Sequence, residues 1–379
     1  MREVAVIGIG MIKVGKYPER MLSSMGREAV LLAMKDAGVQ RSDIQAGYSG
    51  TLRGGSLLGQ RILKDLGMTG MSINNMENAC SSGTSALREG WLCIASGLYD
   101  VVIAVGSEKL SALGGGTLPL EKEDLEASQG LVMPALYAMR ARRYMADFNA
   151  TKEHLAKVVV KSRKNASLNP LAQFTQPTTA EAVLNSRMVA DPITLFQCCP
   201  TGDGAAAAVL CSLDRARKYT SRPIVIKASV LVSGKFEPGF RDMTNPEITV
   251  RASKMAYEMA GLGPKDIDVA EVHDAFSIAE LLYYEALGFC KHGEATKLID
   301  EGATDIDGRI PVNPSGGLLS KGHPVGATGL AQLAEIVWHL RGQAGQRQVK
   351  NAKVGISHCT GGGIYGLDHG AGSIHIVAR

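Results

Sequence analysis

Two octapeptides decide the fold, Ala37-Gly-Val-Gln-Arg-Ser-Asp-Ile44 and Ala260-Gly-Leu-Gly-Pro-Lys-Asp-Ile267. Each follows residues with apolar side chains at helical spacing, ends that helix at a glycine and leads into an apolar run typical of a strand. The spacing of alanine, glycine, aspartate and isoleucine is the same in both. This internal match predicts a duplicated α/β chain, in which two halves repeat one order of strands and helices.

The segments around the two octapeptides repeat in the same order. In the second half the order starts again at Pro223–Ile226. The small-residue helix start Gly326–Leu333 corresponds to a helix after Cys80, and Lys353–Ser357 corresponds to Val101–Val105. The Val101–Val105 run is typical of a strand buried on both faces of a parallel sheet. In the first half we predict strands and helices in alternation at Val4–Ile7, Ser23–Ala37, Ala46–Ser49, 57–69 and Met71–Asn74.

Residues 111–190 break this rhythm. They hold two helical patterns, Pro134–Asn149 and Thr151–Ala166, and we interpret them as a loop domain inserted into the first half. We therefore predict an N-terminal half over residues 1–222, which contains the insertion, and a C-terminal half over residues 223–379. Eight basic side chains lie on the two helical patterns, and we expect most of them in solvent, with a rim that attracts a polyphosphate ligand as the alternative. They are Arg140, Arg142, Arg143, Lys152, Lys157, Lys161, Arg163 and Lys164.

The composition bounds the class of protein. With 379 residues, 45% of them hydrophobic and 21% charged, the chain fits two globular domains, or one large α/β unit with an insertion. Aromatic residues make up 5%, and the net charge of +4 includes no long run of like charges, so no nucleic-acid partner is expected. No apolar stretch reaches the roughly 20 residues that span a membrane. Seven cysteines without metal-ligand spacing or a secretory signal predict a reduced, cytoplasmic compartment and no bound metal.

A cysteine stands in the run Glu77-Asn-Ala-Cys-Ser-Ser-Gly83, directly before a helical pattern. At the start of a helix, unpaired backbone N–H groups and the helix dipole favour thiolate over thiol. The run therefore offers Cys80 as a nucleophile. The alternative is that Cys80 is a small buried hydrophobic residue, which is the more frequent state of an isolated cysteine.

Three loops of the second half carry matching chemistry. His273 follows a predicted strand, His323 stands at a predicted helix start, and Cys359 ends a strand before a glycine run. In open α/β sheets such loops converge beyond the carboxyl ends of the strands. We interpret His358 and His369 as structural. Two thiols and two imidazoles together predict covalent acyl transfer, in which one thiolate attacks a carbonyl, backbone N–H groups stabilise the oxyanion and the second thiol moves a proton on carbon.

Four motifs resemble those of the thiolases, and the likeness extends over essentially the whole chain. They are Asn78-Ala-Cys80-Ser-Ser-Gly, His273-Asp-Ala-Phe276, Gly322-His323-Pro-Val-Gly-Ala-Thr-Gly and Cys359-Thr-Gly-Gly-Gly. His273-Asp274, in place of the Asn-Glu pair of degradative thiolases, is similar to the sterol-carrier-protein-type branch. The resemblance implies the thiolase fold, an α/β architecture of two duplicated βαβαβαββ halves in a five-layered α-β-α-β-α arrangement.

The resemblance implies a role for each of the four side chains. Cys80 is expected to take up the acyl group, activated by His323 and the helix N-terminus. Cys359 is expected to move the proton on the carbon next to the thioester carbonyl. His323 and His273 are expected to form the oxyanion hole for the enolate, and the backbone N–H groups of Cys80 and Gly361 the one for the tetrahedral intermediate.

The resemblance further implies a reaction and the residues that hold its substrate. The reaction is the reversible, CoA-dependent cleavage of a 3-ketoacyl-CoA, by default acetoacetyl-CoA, or the reverse Claisen condensation. CoA is a co-substrate, and no permanently bound cofactor is expected. Five residues are expected near CoA or the acyl chain: Met133, Thr201, Gly202, Ser315 and Phe276.

Partners are implied by the same resemblance. Members of this branch form homodimers or homotetramers, and several work with a small zinc-containing OB-fold protein that helps to hold CoA. Archaeal members can also join hydroxymethylglutaryl-CoA synthase. The length of 379 residues, without an appended lipid-carrier domain, is compatible with such a partner.

Several alternatives remain at this point. A ketosynthase of the same fold has no counterpart of Cys359, and a retro-aldolase of the same fold dispenses with thiol chemistry, so the two cysteines favour a thiolase. Thiolysis of a branched or aryl-substituted 3-ketoacyl-CoA remains open. From another class, a non-catalytic CoA- or lipid-binding protein and a redox sensor with a Cys80–Cys359 disulfide also remain.

Overall fold

Strands and helices alternate in the first half, as the sequence predicts. The computed structural model describes residues 1–114, 116–236, 241–364, 366 and 368–379, so Gly115 of the predicted loop domain lies outside it. The elements of this half are β1 (Val4–Met11), α1 (Leu22–Ala37), β2 (Ala46–Gly50), α2 (Leu58–Lys64), β3 (Ser72–Met76), α3 (Ser82–Ala95) and β4 (Val101–Lys109).

An insertion and the second half follow. The insertion holds α4 (Leu125–Ser128), α5 (Met133–Phe148), α6 (Lys152–Ser167), α7 (Ala180–Leu184), β5 (Met188–Ala190) and β6 (Ile193–Thr194). The first half then closes with β7 (Asp203–Ser212) and α8 (Leu213–Ala216). The second half holds β8 (Ile224–Ser233), α9 (Glu247–Ala260), β9 (Val269–Glu271), α10 (Ser277–Ala286), α11 (Ala295–Asp300), α12 (Gly317–Ser320), α13 (Thr328–Arg341), β10 (Val354–Gly361) and β11 (Ala371–Ala378).

Nine strands form one sheet in the order β3-β2-β4-β7-β1-β8-β11-β10-β9. Strand β2 runs parallel to β3 and β4, whereas β7 is antiparallel to β4 and β1. The second half repeats this pattern, because β10 is parallel to β9 and β11 is antiparallel to β10 and β8. The halves meet where β1 and β8 pair antiparallel at Ala5–Val225 and Val6–Ile224. The division of the chain at residue 222, between α8 and β8, stays a prediction.

The two octapeptides adopt matching conformations. Helix α1 ends at Gly38 with a φ of 70°, and α9 ends at Gly261 with a φ of 66°. Both glycines occupy the left-handed region that a side chain disfavours. A short 3-10 turn follows each of them, at Arg41–Asp43 and at Pro264–Asp266. The internal match in the sequence thus corresponds to a repeated helix end.

The third strand of the second half departs from the predicted βαβαβαββ order. In the described part of this segment a single residue, Val312, bridges to β9. Pro311 and Pro314 flank this part of the chain and cannot donate ladder hydrogen bonds. Helix α6 takes the carbonyl groups instead: Lys161 Nζ donates to the Val312 oxygen at 2.8 Å and Asn165 Nδ2 to the next carbonyl at 3.0 Å. The insertion therefore closes the edge of the second half.

Three apolar clusters lie between the layers of strands and helices, and the central cluster contains a layer of helices. Successive side chains of β1 alternate, with Val4 and Val6 in the central cluster and Ala5 and Ile7 in the outer cluster of the first half. The central cluster holds α3 and α13, the outer clusters hold α1 on one side and α9 and α10 on the other. This agrees with the expected α-β-α-β-α arrangement. Within the described ranges, no helix combines the length and apolar character that crossing a membrane requires.

The basic side chains of the insertion do not form a free cationic rim. Seven of the eight lie in ion pairs with acids of the same chain, and Arg163 lies over the ring of Phe174 at 4.3 Å. The sequence alone could not show these acids, because several come from the second half. The pairs are Arg140–Asp368, Arg142–Asp191, Arg143–Asp147, Lys152–Asp191, Lys157–Asp300, Lys161–Glu280 and Lys164–Asp305.

Lys161→Met is expected to lower the free energy of unfolding by about 3–5 kcal/mol, because it leaves a buried carboxylate without its cation. Lys161 Nζ lies 2.5 Å from Glu280 Oε1, and both side chains are almost fully buried. Urea denaturation measures the loss. The matched control is Lys157→Met, which breaks the exposed pair with Asp300 and should cost at most about 1 kcal/mol. Equally small losses in the two variants would contradict a stabilising role for the buried pair.

Candidate active site

One cavity of about 390 Å³ lies where loops from both halves meet. Its wall includes Cys80, His273 and His323. Cys359 lies directly behind this wall, with its sulfur 3.1 Å from the carbonyl oxygen of Cys80. The structure thus brings together the four side chains that the sequence singles out. The volume is in the range of small-molecule sites.

The turn that carries Cys80 is held from both sides. Cys80 lies in a 3-10 turn, Ala79–Ser81, immediately before α3. Ala79 has a φ of 48°, a left-handed conformation that costs a non-glycine residue energy and is enriched at functional sites. The end of β10 presses on the turn, since a Cβ atom on Gly361 would lie 2.1 Å from the carbonyl oxygen of Asn78. Glycine is therefore required where the two cysteine-bearing segments touch.

The resting thiol of Cys80 is neutral. Burial raises the pKa of Cys80 to about 12, against the opposing effect of the Gly362 backbone N–H. The backbone donors at the helix start do favour the thiolate, but desolvation outweighs them. The backbone N–H groups that favour the thiolate belong to Gly362 and to Cys80 itself. Cys80 needs a base that removes its proton as it attacks.

Two neutral imidazoles face this thiol. The rings of His273 and His323 meet edge to face with centroids 5.1 Å apart. One ring nitrogen of each and the Cys80 sulfur all lie within 4.8 Å of one another. Burial lowers the pKa of His323 to about 3 and the pKa of His273 well below its usual value. Both rings can therefore exchange protons with a substrate or a thiol without carrying a charge at rest.

Threonine hydroxyl groups orient both imidazoles. The Thr328 hydroxyl donates to the Pro324 carbonyl oxygen at 3.1 Å and lies 2.7 Å from His323 Nδ1. That arrangement lets His323 Nδ1 donate and leaves Nε2 with its lone pair free. His273 Nδ1 lies 3.2 Å from the Thr360 hydroxyl. The catalytically available nitrogen of each ring is thereby the Nε2 atom.

Both the backbone carbonyl group and the sulfur of Cys359 make hydrogen bonds that fix its position. Its carbonyl oxygen accepts hydrogen bonds from the Ser81 hydroxyl at 3.0 Å and the Ser373 hydroxyl at 3.1 Å. Ser81 belongs to the turn of Cys80, so one hydroxyl ties the two cysteine segments together. Burial raises the pKa of Cys359 well above its ordinary value, and the neighbouring Cys80 adds to this rise. The second thiol is therefore neutral at rest as well.

The five residues expected at CoA or the acyl chain divide into two groups. Met133, Thr201 and Phe276 line the cavity. Gly202 lies behind the wall, where a Cβ atom would come within 2.7 Å of a Gln173 side chain. Ser315 is fully buried, and its hydroxyl donates to Glu271 Oε2 at 2.7 Å. The expectation for Ser315 is corrected, because its hydroxyl supports the buried Glu271 and does not face the cavity.

Tyr137, which the sequence did not single out, forms a group in the cavity wall with the expected Phe276 and with His369. The ring of Tyr137 stacks on Phe276 at 4.5 Å. His369 Nδ1 lies 2.8 Å from the Gly362 carbonyl oxygen, which only accepts, so His369 Nε2 accepts from the Tyr137 hydroxyl at 3.2 Å. His369 thus holds the glycine turn beside Cys80. The signal in the sequence was a histidine that closely follows the glycine-rich run. His358 differs, because its Nε2 atom lies 3.0 Å from the Thr249 hydroxyl group and the residue does not line the cavity.

Glu108 is a second residue that sequence analysis did not select. Its buried carboxylate accepts backbone N–H groups from Leu52 at 2.8 Å, Arg53 at 3.1 Å and Gly326 at 3.2 Å. Gly326 belongs to the turn just after His323, so Glu108 in the first half positions the histidine loop of the second. The signal in the sequence was an acidic residue near the end of the largely apolar strand β4.

Acid should destabilise the folded protein because its histidines are buried without charge. Burial lowers the pKa of His323, His358 and His375 to about 3, whereas the unfolded chain titrates near pH 6.5. Between these values the unfolded chain binds protons that the folded chain excludes, so the free energy of unfolding falls as the pH falls. We expect a loss of about 1 kcal/mol per histidine between pH 6.5 and 5.5. Urea unfolding at several pH values checks this, and an unchanged midpoint over that interval would count against it.

The sequence matches two family profiles that together cover most of its length. "Thiolase, N-terminal domain" matches residues 4–214 and "Thiolase C-terminal domain-like" matches residues 239–366. The chain is 46% identical to an acetyl-CoA acetyltransferase of Methanothermobacter thermautotrophicus, over 100% of each chain. It is 42% identical to the benzoylsuccinyl-CoA thiolase subunit BbsB of Thauera aromatica, over 96% of this chain and 95% of that one. It is 40% identical to sterol carrier protein 2 of Oryctolagus cuniculus, over 94% of this chain and 70% of the relative.

Solved structures share the architecture. The Ltp2-ChsH2(DUF35) aldolase superposes with a TM-score of 0.86 at 28% identity, covering 98% of this chain and 97% of the other. Human mitochondrial 3-ketoacyl-CoA thiolase superposes with a TM-score of 0.77 at 18% identity, covering 100% and 99%. The second likeness is one of fold alone.

Proposed function

We propose, from the premise that this chain belongs to the thiolase family, that it transfers an acyl group between a 3-ketoacyl-CoA and CoA through Cys80. The observation that carries the proposal is the convergence of two neutral thiols and two neutral imidazoles around one cavity. As a thiolase the chain is an acyltransferase, so the alternative of a non-catalytic carrier is set aside. CoA acts as a co-substrate.

The first half-reaction forms an acyl-enzyme. The Cys80 sulfur attacks the 3-keto carbonyl while its proton passes to His323 Nε2. Backbone N–H groups of Cys80 and of the Gly361–Gly362 turn stabilise the oxyanion. The bond between C2 and C3 then breaks, and the acetyl-CoA enolate leaves. His273 and His323 stabilise the enolate oxygen, and the Cys359 thiol donates a proton to carbon.

The second half-reaction restores the enzyme. Free CoA enters, and the Cys359 thiolate takes the proton from the CoA thiol. The CoA sulfur attacks the acyl group on Cys80, and Cys80 recovers its proton from His323 as it leaves. The sum is one 3-ketoacyl-CoA and one CoA converted to acetyl-CoA and a shortened acyl-CoA, with both catalytic thiols returned to their resting state. Condensation is the reverse sequence.

Acetoacetyl-CoA is the default substrate, supported by the 46% identity to an acetyl-CoA acetyltransferase. An aryl-substituted or branched 3-ketoacyl-CoA is the second candidate. Two observations favour it: the 42% identity to benzoylsuccinyl-CoA thiolase subunit BbsB and the stacked pair of Tyr137 and Phe276 in the cavity wall. Stacked aromatic side chains offer a flat acyl group a matching surface.

The CoA arm is proposed to run past Met133 and Thr201, which line the cavity. Lys16 and Arg187 also lie on this wall and are exposed. They are candidates for the CoA phosphates, because the basic residues of α5 and α6 are engaged elsewhere.

A homodimer is proposed through the edge strand β3. This strand ends the nine-stranded sheet, and its side chains are exposed or half-buried, whereas uncovered edges are usually protected. A homotetramer built from such dimers is the alternative, and light scattering distinguishes them.

The name of the similar aldolase structure includes a DUF35 component, which supports a small partner protein for this chain. Its zinc-containing OB fold, a complex with hydroxymethylglutaryl-CoA synthase and the cytoplasmic location stay predictions.

A retro-aldolase is a direct competitor for this function, because one similar solved structure is named an aldolase. An aldolase breaks a carbon–carbon bond without CoA as acceptor and without an acyl-cysteine. The presence of Cys80 in the cavity wall and of Cys359 directly behind it favours thiolysis. A ketosynthase is disfavoured by Cys359, as the sequence predicts.

The test is a cleavage assay with purified chain, alone and with any co-encoded DUF35 protein. Acetoacetyl-CoA, a branched and an aryl-substituted 3-ketoacyl-CoA are incubated with and without free CoA, and acetyl-CoA is quantified by chromatography. We expect cleavage that depends on free CoA. Cleavage that proceeds equally without CoA would contradict thiolysis, because water would then be the acyl acceptor, and no cleavage of any member would also contradict the proposal.

A further inference from the structure

The cavity holds three side chains whose donor atoms suit a metal ion. The sulfur of Cys80 and one ring nitrogen each of His273 and His323 lie within 4.8 Å of one another. A thiolate and two imidazoles are soft and intermediate donors, the set that selects zinc over magnesium or calcium. Three protein ligands with one position open to a cavity is the ligand count of catalytic zinc sites.

The surroundings of the two histidines resemble those of metal ligands. Histidine ligands commonly use one nitrogen for the metal and bond the other to a protein group, which fixes the ring. Here the Thr328 hydroxyl lies 2.7 Å from His323 Nδ1, and the Thr360 hydroxyl lies 3.2 Å from His273 Nδ1. His273 is 4% exposed, and its Nε2 atom has no hydrogen-bond partner among the described residues. A buried ring nitrogen without a hydrogen-bond partner among the described residues therefore belongs to the same cavity wall as Cys80 and His323.

We propose that Cys80, His273 and His323 form a binding site for one zinc ion, and that zinc bound there blocks acyl transfer. On binding, Zn²⁺ replaces the thiol proton of Cys80, which passes to solvent, and the two Nε2 lone pairs complete three of four positions. A water molecule from the cavity takes the fourth. No oxidation or reduction is involved, and a chelator reverses the reaction.

The geometry needs only a small adjustment. Ligand atoms around tetrahedral zinc lie about 3.3–3.6 Å apart, given Zn–S and Zn–N bonds of about 2.3 and 2.0–2.1 Å. The widest pair in the site is at most 4.8 Å apart. Relative shifts of at most about 1.2–1.5 Å between the ligand atoms therefore reach the separations of a tetrahedral site. The inference departs from the expectation of no metal, which rested on the absence of ligand spacing along the sequence, because these ligands come from both halves of the chain.

Acyl transfer, the proposed function on which this inference rests, and zinc binding both need the Cys80 sulfur, so each excludes the other. An acyl group on the Cys80 sulfur removes the anionic ligand, so acylation should prevent zinc binding. Zinc on the sulfur removes the nucleophile, so zinc should prevent acylation. Cys198 and Cys199 also line the cavity and are competing thiols that a test must separate from Cys80.

The experiment measures metal directly and does not depend on thiolase activity. Tag-free protein is stripped with chelator, loaded with Zn²⁺, desalted and analysed for zinc content. Co²⁺ loading reports thiolate ligation through its sulfur-to-metal charge-transfer band. We expect one equivalent of zinc in the wild-type chain and in the double control Cys198→Ala/Cys199→Ala.

The variants Cys80→Ala, His273→Ala and His323→Ala should each weaken zinc binding by more than about 100-fold, and Thr328→Val by about 10- to 100-fold as an outer-shell change. Circular dichroism confirms that each variant is folded. The proposal would be overturned if folded Cys80→Ala still bound zinc, or if only the Cys198/Cys199 control lost zinc. A wild-type chain that takes up no stoichiometric zinc would also overturn it. An acyl-enzyme that forms in chain without zinc affinity would leave the thiolase function standing while the zinc site falls.

Discussion

Replacing Cys80 with alanine is expected to reduce CoA-dependent cleavage by on the order of 10⁴-fold or more, because removal of the nucleophile of a covalent mechanism leaves only binding and oxyanion stabilisation. The variant has no sulfur to carry the acyl group, and its neighbours cannot substitute: Cys359 is bonded behind the wall. The loss should appear in kcat, while substrate still binds. Cleavage rates at saturating 3-ketoacyl-CoA and CoA give the measurement.

The matched control for this prediction is Cys93→Ala. Cys93 lies on α3, the helix that follows the Cys80 turn, and it does not line the cavity. This substitution removes a half-buried thiol of the same helix and should leave kcat within about twofold. If Cys80→Ala retained more than a small fraction of the wild-type rate, acyl transfer through this residue would have to be abandoned.

Cys359→Ala is expected to separate the two chemical tasks of the site. The acyl-enzyme should still form on Cys80, because the attacking sulfur, its base His323 and the oxyanion donors remain. Exchange of the acetyl-CoA methyl protons with deuterated solvent should fall by about 10²- to 10⁴-fold, the size of a lost acid–base catalyst. Magnetic resonance or mass spectrometry of acetyl-CoA follows the exchange.

Cys290→Ala serves as the control for Cys359→Ala, since Cys290 is a half-buried thiol outside the cavity wall. It should leave both acylation and exchange unchanged. Exchange that persists at the wild-type rate in Cys359→Ala would remove this thiol from the mechanism and would assign the proton to another group, for which His273 is the nearest candidate.

The sequence predicted the duplicated frame because the signals for it are local. Helix ends at Gly38 and Gly261 are determined by short-range backbone chemistry, and such signals can be read from a few neighbouring residues. The four reactive side chains could be selected for the same reason, since each stands in a short motif next to a strand or helix end. Their convergence followed from the rule that such loops meet at one edge of a sheet.

What the sequence could not show depends on distant partners. The charge state of Cys80 follows from burial, which only the folded chain reveals. Ser315 looked like a ligand contact, yet its hydroxyl meets Glu271. Most of the basic residues of α5 and α6 are exposed, as expected, but the sequence could not show that Arg140 and Lys161 are buried against Asp368 and Glu280. These features depend on contacts between residues that are far apart in sequence.

The same limit explains Val312. Two backbone hydrogen bonds join this segment to Ala270 of β9, and side chains of α6 bind the carbonyl groups of Val312 and Asn313 from across the fold. The insertion is therefore not an independent addition. It covers the cavity with α5 and fixes the segment before His323 with α6.

The most direct measurement of the central claim is the mass of the chain after incubation with acetyl-CoA, followed by peptide mapping. We expect one added acetyl group, located on the peptide that contains Cys80 and removed by free CoA. An acetyl group found on Cys359 with Cys80 unmodified, or no acyl group after incubation with acetyl-CoA and with each 3-ketoacyl-CoA, would contradict it.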